Sequence, residues 1–304
     1  MGKSSIQDIS NFYAIDSGDI IHLNGQTYKV IGHAKEQRFG IEDPKFWVKK
    51  VINQKTKDIQ YLKFAFFESF QITIGEVKID CFRSPEKEGK ILDLVAGHSL
   101  FMQGKAIIDE KGNNIRVLEV VRGTNFLQYL GKFSDMPYET YFRTILPGIL
   151  RNLSMAFGAI SFLHRNGFKH GDIRNDHLFV ERATGNYVWI DFDYDYETTE
   201  NPFSLDIFGL GNLLTYTIGK GFHTVYMIKN NPKTYGNLIE RLTDADFSIL
   251  DQRRLVNLKK LYPVIPSTMN NILMHFSKQT EIFYEMVDEI IEDIDRCVQA
   301  FDEI

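Results

Sequence analysis

His170-Gly171-Asp172-Ile173-Arg174-Asn175-Asp176-His177-Leu178-Phe179-Val180, followed by Val188-Trp189-Ile190-Asp191-Phe192-Asp193, is the stretch on which the reading turns. The apolar run Val188-Trp189-Ile190 reads as a strand, which puts the Asp191 carboxylate at a strand end. Upstream, residues of about 147–166 read as a long amphipathic helix with Ile149, Leu150, Leu153, Phe157, Ile160 and Leu163 on one face. Gly167 closes that helix. Asp172 follows through a short turn and so sits on a loop. The two carboxylates are 19 residues apart across a hairpin, a spacing that lets them face one cleft. In such a pair one acid can hold a metal while the other meets a hydroxyl.

Working outward, residues of about 18–130 read mainly as strands. Ile20 to Leu23 and Thr27 to Ile31 flank Asn24-Gly25, a two-residue hairpin signal. Phe46-Trp47-Val48 reads as a short strand, and Tyr61 to Phe67 as another, with Lys63 inside an otherwise apolar run. Ser84-Pro85-Glu86 opens a helix to about Val95, with a capping serine, proline at the first position and an acid in the first turn. Phe101 to Ile108 and Ile115 to Val121 are strands on either side of a turn at Asp109 to Asn113. From 204 onward the chain looks mostly helical, and its last helix is expected to turn Met286, Val287, Ile290, Ile291 and Ile294 inward. The first 15 residues carry no clear pattern. The expected organisation is an extension over 1–17, a strand-rich lobe with one helix over 18–122, and a mainly helical lobe over 123–304. The expected fold class is α+β and bilobal.

Composition narrows the function classes. With 43% hydrophobic and 25% charged residues over 304 positions, the chain has the makeup of a globular protein of about two domains or one two-lobed unit. The balance of 35 basic and 40 acidic residues argues against a nucleic-acid protein that works through a broad basic surface. Cys81 and Cys297 lie far apart and read as free thiols in a reducing compartment. The start has no apolar core of a signal peptide, Gly2 only loosely approaches a myristoylation signal, and no membrane span is expected. A cytoplasmic location follows as an expectation.

Over residues of about 18–300 the sequence resembles the protein-kinase-like superfamily. The resemblance puts Asp172 in the position of the base that accepts the nucleophile's proton. It puts Asp191 in the position of the metal-binding Asp, with Phe192 after it, and His177 where a residue binds a second Mg²⁺. Lys63 is similar to the strand lysine that reaches the ATP phosphates, and Glu88 to the helix glutamate that pairs with it. Leu118 to Gly123 resembles the hinge, so Glu119 and Val121 would bind adenine. Asp206 resembles the acid of the buried central helix that supports the catalytic loop. Arg174 stands two places after Asp172, where Ser/Thr protein kinases carry a lysine that touches the transferred phosphate.

Four departures shape the expected chemistry. His177 stands where Asn is usual, as in lipopolysaccharide sugar kinases, and its nitrogen suits Mn²⁺ better than Mg²⁺. Asp193 replaces a glycine, which resembles choline kinases and aminoglycoside phosphotransferases, and is a further candidate metal ligand. The glycine-rich loop Gly32 to Gly40 keeps only its end glycines, so Lys35 and Arg38 are candidates for holding phosphate. Asp191 and Asp206 are only 15 residues apart, which leaves no room for an activation segment, and Gly171 replaces the arginine that would answer its phosphorylation. The resemblance implies an ATP- and Mg²⁺-dependent kinase acting on a hydroxyl of a protein Ser/Thr or a small molecule such as a sugar. A nucleotide-binding pseudokinase is the alternative of another class. Closing helices over 269–276 and from Tyr284 to Ile294 look like those of bacterial Ser/Thr protein kinases.

Overall fold

Asn24 and Gly25 both take positive φ, 45° and 75°, as a two-residue hairpin turn between right-twisted strands demands. They join β2 (Ile20–Leu23) to β3 (Gln26–Arg38), and the computed structural model describes the chain over residues 5–38, 41–75 and 77–302. With β1 (Ser5–Ile6), β4 (Ile41–Asn53), β5 (Ile59–Phe64) and a pair further along the chain, these strands build one sheet. Before that pair come β6 (Ser69–Ile74), β7 (Val77–Arg83) and helix α1 (Pro85–Leu94). The pair itself is β8 (Gly104–Ile108) and β9 (Asn114–Glu119), and the sheet runs β1-β2-β3-β4-β5-β9-β8. Phe46-Trp47-Val48 is the middle of the 13-residue β4 rather than a short strand of its own. Two register shifts, at Val30/Gly32 and His33/Ala34, interrupt the β3–β4 ladder, which is why the pattern there is hard to read.

The contact pattern divides the chain into two compact units, residues 1–69 with 82–122 and residues 70–81 with 123–304. The segment ahead of β2 is part of the first unit's core. Ile9 and Ile15 are buried with Ile21, Leu23, Val30, Val51, Leu62, Phe64 and Val117, and Ile6 and Phe12 pack against them. Its sequence looked patternless because it is irregular chain that places single apolar residues on the sheet face. The buried Lys49 Nζ fastens it by donating to the Ile15 carbonyl at 2.7 Å. α1 starts as its sequence dictates, with the Ser84 side chain accepting from the Lys87 N–H at 3.2 Å.

The second unit holds the remaining elements. β10 (Gly123–Asn125), α2 (Phe126–Gly131), α3 (Tyr138–Thr144) and α4 (Leu146–Arg165) lead into β11 (Leu178–Glu181), β12 (Tyr187–Trp189) and β13 (Tyr194–Glu197). Then come α5 (Ser204–Gly219), α6 (Val225–Asn230), α7 (Pro232–Tyr235), α8 (Ser267–Met274) and α9 (Val287–Asp302). α4 is long and apolar enough to cross a bilayer, unlike the sequence reading, yet most of that stretch is buried, as in a core helix. It packs against α9, and Trp189 Nε1 on β12 donates to its Ala156 carbonyl at 2.8 Å. The closing helix starts at Val287, so Tyr284 precedes it and Met286 is 58% exposed instead of inward. Between α7 and α8 the chain is mostly turns and short 3-10 segments, less helical than the sequence after 204 suggests.

Candidate active site

Lys63 lies on β5 with its ammonium at 2.9 Å from Glu88 Oε1, and both side chains are buried. The strand register sets Lys63 opposite Arg116 on β9. Arg116 is fully buried and donates from Nε to Glu88 Oε2 at 2.9 Å. Its other nitrogens are spent on the Asn114 and Phe64 carbonyls, each at 3.1 Å. One carboxylate therefore takes a cation on each oxygen, which offsets the cost of burying it. Arg116 was missed in the sequence, although a charged residue within Ile115-Arg116-Val117-Leu118 is the same signal that singled out Lys63. Glu86, the other acid in the first turn of α1, is exposed. Glu119 ends β9 with its N–H on the Gln103 carbonyl at 2.9 Å, and Val121 is half-buried beside the unit's end at Arg122. Lys35 is exposed on β3, while the Arg38 side chain and Phe39-Gly40 lie outside the described residues.

In the second unit Asp206 organises the loop that carries Asp172. It is the third residue of α5, not its cap, and is fully buried. Its carboxylate accepts from the His170 N–H at 2.7 Å, the Gly171 N–H at 2.8 Å and His164 Nε2 at 2.9 Å. Burial pushes its carboxyl up, but these donors and the two imidazoles outweigh that and hold it below the ordinary carboxylate value. His164, on the last turn of α4, thereby links that helix to the loop. Gly171 takes φ 88°, a left-handed turn that a side chain resists, which explains glycine before Asp172. His170 is buried and its Nδ1 accepts from the Asp172 N–H at 3.3 Å, a structural role.

Asp172, His177 and Asp191 meet at the imidazole. His177 Nδ1 is 2.9 Å from the Asp172 carbonyl oxygen, which can only accept, so the proton is on Nδ1. The same Nδ1 is 3.4 Å from Asp172 Oδ2, and Nε2 is 3.7 Å from Asp191 Oδ2. Asp191 has φ 63°, a left-handed backbone that Asp tolerates better than most residues, and that kink turns the strand end into the next segment. Burial raises the Asp172 carboxyl above its ordinary value against the pull of His177 and Arg174, and the charges of Asp191 and the buried Asp193 push it the same way. Arg174 forks onto Asp176 at 3.0 and 2.7 Å and stands 3.9 Å from Asp172 Oδ2.

In the neutral ring Nε2 carries a lone pair turned toward a carboxylate oxygen 3.7 Å away, an arrangement that a cation between them satisfies. Among the described residues no three His, Cys, Asp or Glu side chains converge as a full cage. A cation held by one or two protein ligands together with phosphate and water needs no such cage. The residues thus fit a cation shared with a phosphate ligand, with mixed nitrogen and oxygen donors.

Beyond Asp193 the chain runs directly into β13, which is paired with β7 in a three-stranded sheet ordered β13-β7-β6. Ile74, Ile79 and Cys81 from the hairpin are buried with Tyr196 of β13. Lys169 adds an ion pair to Asp195 at 3.2 Å. The hairpin was missed although Phe70 to Cys81 alternates apolar and polar residues around Gly75-Glu76.

No family profile matches this chain, and no curated protein sequence matches it. Among solved structures, a mutant of the Mycobacterium tuberculosis PknI kinase domain is similar to it. That likeness covers 93% of this chain and 98% of the other, with a TM-score of 0.52 and 12% identity. The chain has a protein-kinase-like fold, with an N-terminal sheet and a helical C-terminal part.

Proposed function

We propose that this protein is an ATP- and Mg²⁺-dependent kinase that transfers the γ-phosphate to a hydroxyl. The observation that carries the proposal is the arrangement of Asp172 and Asp191 around the His177 imidazole, at 3.4 and 3.7 Å, with the loop that carries Asp172 held by two backbone bonds to Asp206. Asp172 is the base: its half-buried carboxylate accepts the proton of the substrate hydroxyl, and a carboxyl raised by burial is better matched to that task than a solvated one. Asp191 and His177 would hold the cation, which supplies charge neutralisation on the phosphates, with Asp193 close by. Mn²⁺ is the alternative metal, given the nitrogen ligand. Lys63, fixed by Glu88, would orient phosphate, and Glu119 and Val121 would receive the adenine through backbone groups. Lys35 and Arg38 would supplement a phosphate loop poor in glycine.

The preferred substrate is Ser/Thr of a protein. That preference rests on the helix with Glu88 ahead of Ile91-Leu92 and on Arg174 two places after Asp172. The short run from Asp193 into β13 favours the second reading, a small-molecule or sugar hydroxyl. The proposed working compartment is the cytoplasm. γ-Labelled ATP added to a cell lysate with the wild type, beside Asp172→Asn, tests the proposal. Asp172-dependent label in the protein fraction supports the first reading, and label in small metabolites supports the second. Equal label with both proteins, or none with either despite ATP binding, overturns the kinase assignment and leaves the pseudokinase.

A further inference from the structure

Glu88 is held from two sides. Arg116 Nε donates to Glu88 Oε2 at 2.9 Å while Lys63 donates to Oε1 at 2.9 Å. Arg116 is itself locked, with its two remaining nitrogens on the Asn114 and Phe64 carbonyls at 3.1 Å. The guanidinium cannot follow Lys63 if that side chain moves, because its fork is committed to two strands of the sheet. α1 is also seated closely: a side chain at Gly89 would come within 2.9 Å of Ala106 Cβ on β8.

We infer that Arg116 is a positioning residue that keeps Glu88, and α1 with it, docked independently of Lys63, so that Lys63 turns to a phosphate without releasing the helix. The inference deepens the kinase reading, since it assigns the site a permanently seated helix in place of one that swings in to switch activity. It agrees with the chain after Asp193, where a strand paired with β7 stands in place of an activation segment. The physical reason is charge accounting at a buried carboxylate. With either cation in place Glu88 stays neutralised, whereas with neither it is a bare buried charge, which is strongly destabilising.

Hydrogen exchange without nucleotide tests this on the full chain. The amides of α1, such as Val95 bonded to the Ile91 carbonyl, are followed in wild type, Lys63→Met, Arg116→Met and the double variant. The amides of α4 in the other unit serve as the internal reference. Each single variant is expected to keep α1 protection within about tenfold of wild type. The double variant is expected to lose about hundredfold or more in α1 while α4 is unchanged. Lys63→Met combined with Arg116→Lys, which restores a cation beside Glu88, is expected to recover most of that loss. Release of α1 by Lys63→Met alone would overturn the inference. So would a double variant no more open than the singles, or loss of protection throughout the first unit from Arg116→Met alone. These outcomes do not depend on phosphoryl transfer; whether Lys63→Met weakens Mg·ATP binding reads the kinase assignment separately.

Discussion

Replacing Asp206 with Ala removes the group that ties three segments together, and the cost follows from its partners. The carboxylate accepts the His170 and Gly171 N–H groups and His164 Nε2, at 2.7, 2.8 and 2.9 Å. Two buried backbone donors left without an acceptor cost about 1–3 kcal/mol each. A buried charged network broken on one side costs about 3–5 kcal/mol, which agrees with that sum. Against a whole-domain stability of about 5–15 kcal/mol this is a large fraction. Asp206→Asn keeps one acceptor oxygen and should lose about 2 kcal/mol, the share of a single charged hydrogen bond. Trp189 is buried 5.2 Å from the His170 ring, so in a Trp47→Phe background its fluorescence follows the second unit through urea unfolding. The midpoint should fall with an unchanged slope. The folded carboxyl lies below its ordinary value of 3.8, so its stabilisation is complete above that pH and is lost as pH falls toward the folded value. Asp206→Asn should lack that acid loss. A destabilisation by Asp206→Ala of less than about 1 kcal/mol, or an acid loss in Asp206→Asn equal to that of the wild type, would refute the reasoning.

The other consequences are read by separate assays. His177→Asn should retain or raise transfer with Mg²⁺ relative to Mn²⁺, because an oxygen ligand replaces nitrogen; a variant that fails to fold would mark His177 as structural instead. Ile15→Ala should cost about 2–5 kcal/mol in the first unit, followed through Trp47, and a loss under about 1 kcal/mol would contradict the packing of the N-terminal segment. The acid limb of the rate profile should lie above the ordinary Asp value of 3.8, because burial raises the Asp172 carboxyl and the active base form grows as pH rises. A limb at or below that value, in labelled-product formation, would speak against Asp172 as base.

The fold was largely legible because its long-range order leaves local marks. Asn24-Gly25 fixes a hairpin register, Ser84-Pro85 fixes a helix start, and six apolar positions spaced along α4 fix its buried face. The candidate site was legible where a polar residue interrupts an apolar run, as at Lys63 and Asp191. What stayed hidden depends on contacts far apart in sequence. No local pattern tells that His164 answers Asp206, 42 residues on, or that Ile9 and Ile15 cover a sheet face. Hairpin β6–β7 could have been read from its alternation, but its membership of the second unit could not, since it interrupts the first. Arg116 was readable as a charge in a core strand, and only the strand register showed that it shares Glu88 with Lys63.

In the proposed function Asp191 brings a cation to a nucleotide bound by this chain. Calorimetric titration with ATP, with and without Mg²⁺, of wild type and Asp191→Ala tests it most directly. Wild type is expected to bind ATP more tightly with Mg²⁺, and Asp191→Ala to bind equally weakly in both conditions. Unchanged Mg·ATP affinity in Asp191→Ala, or no ATP binding by the wild type, would contradict it.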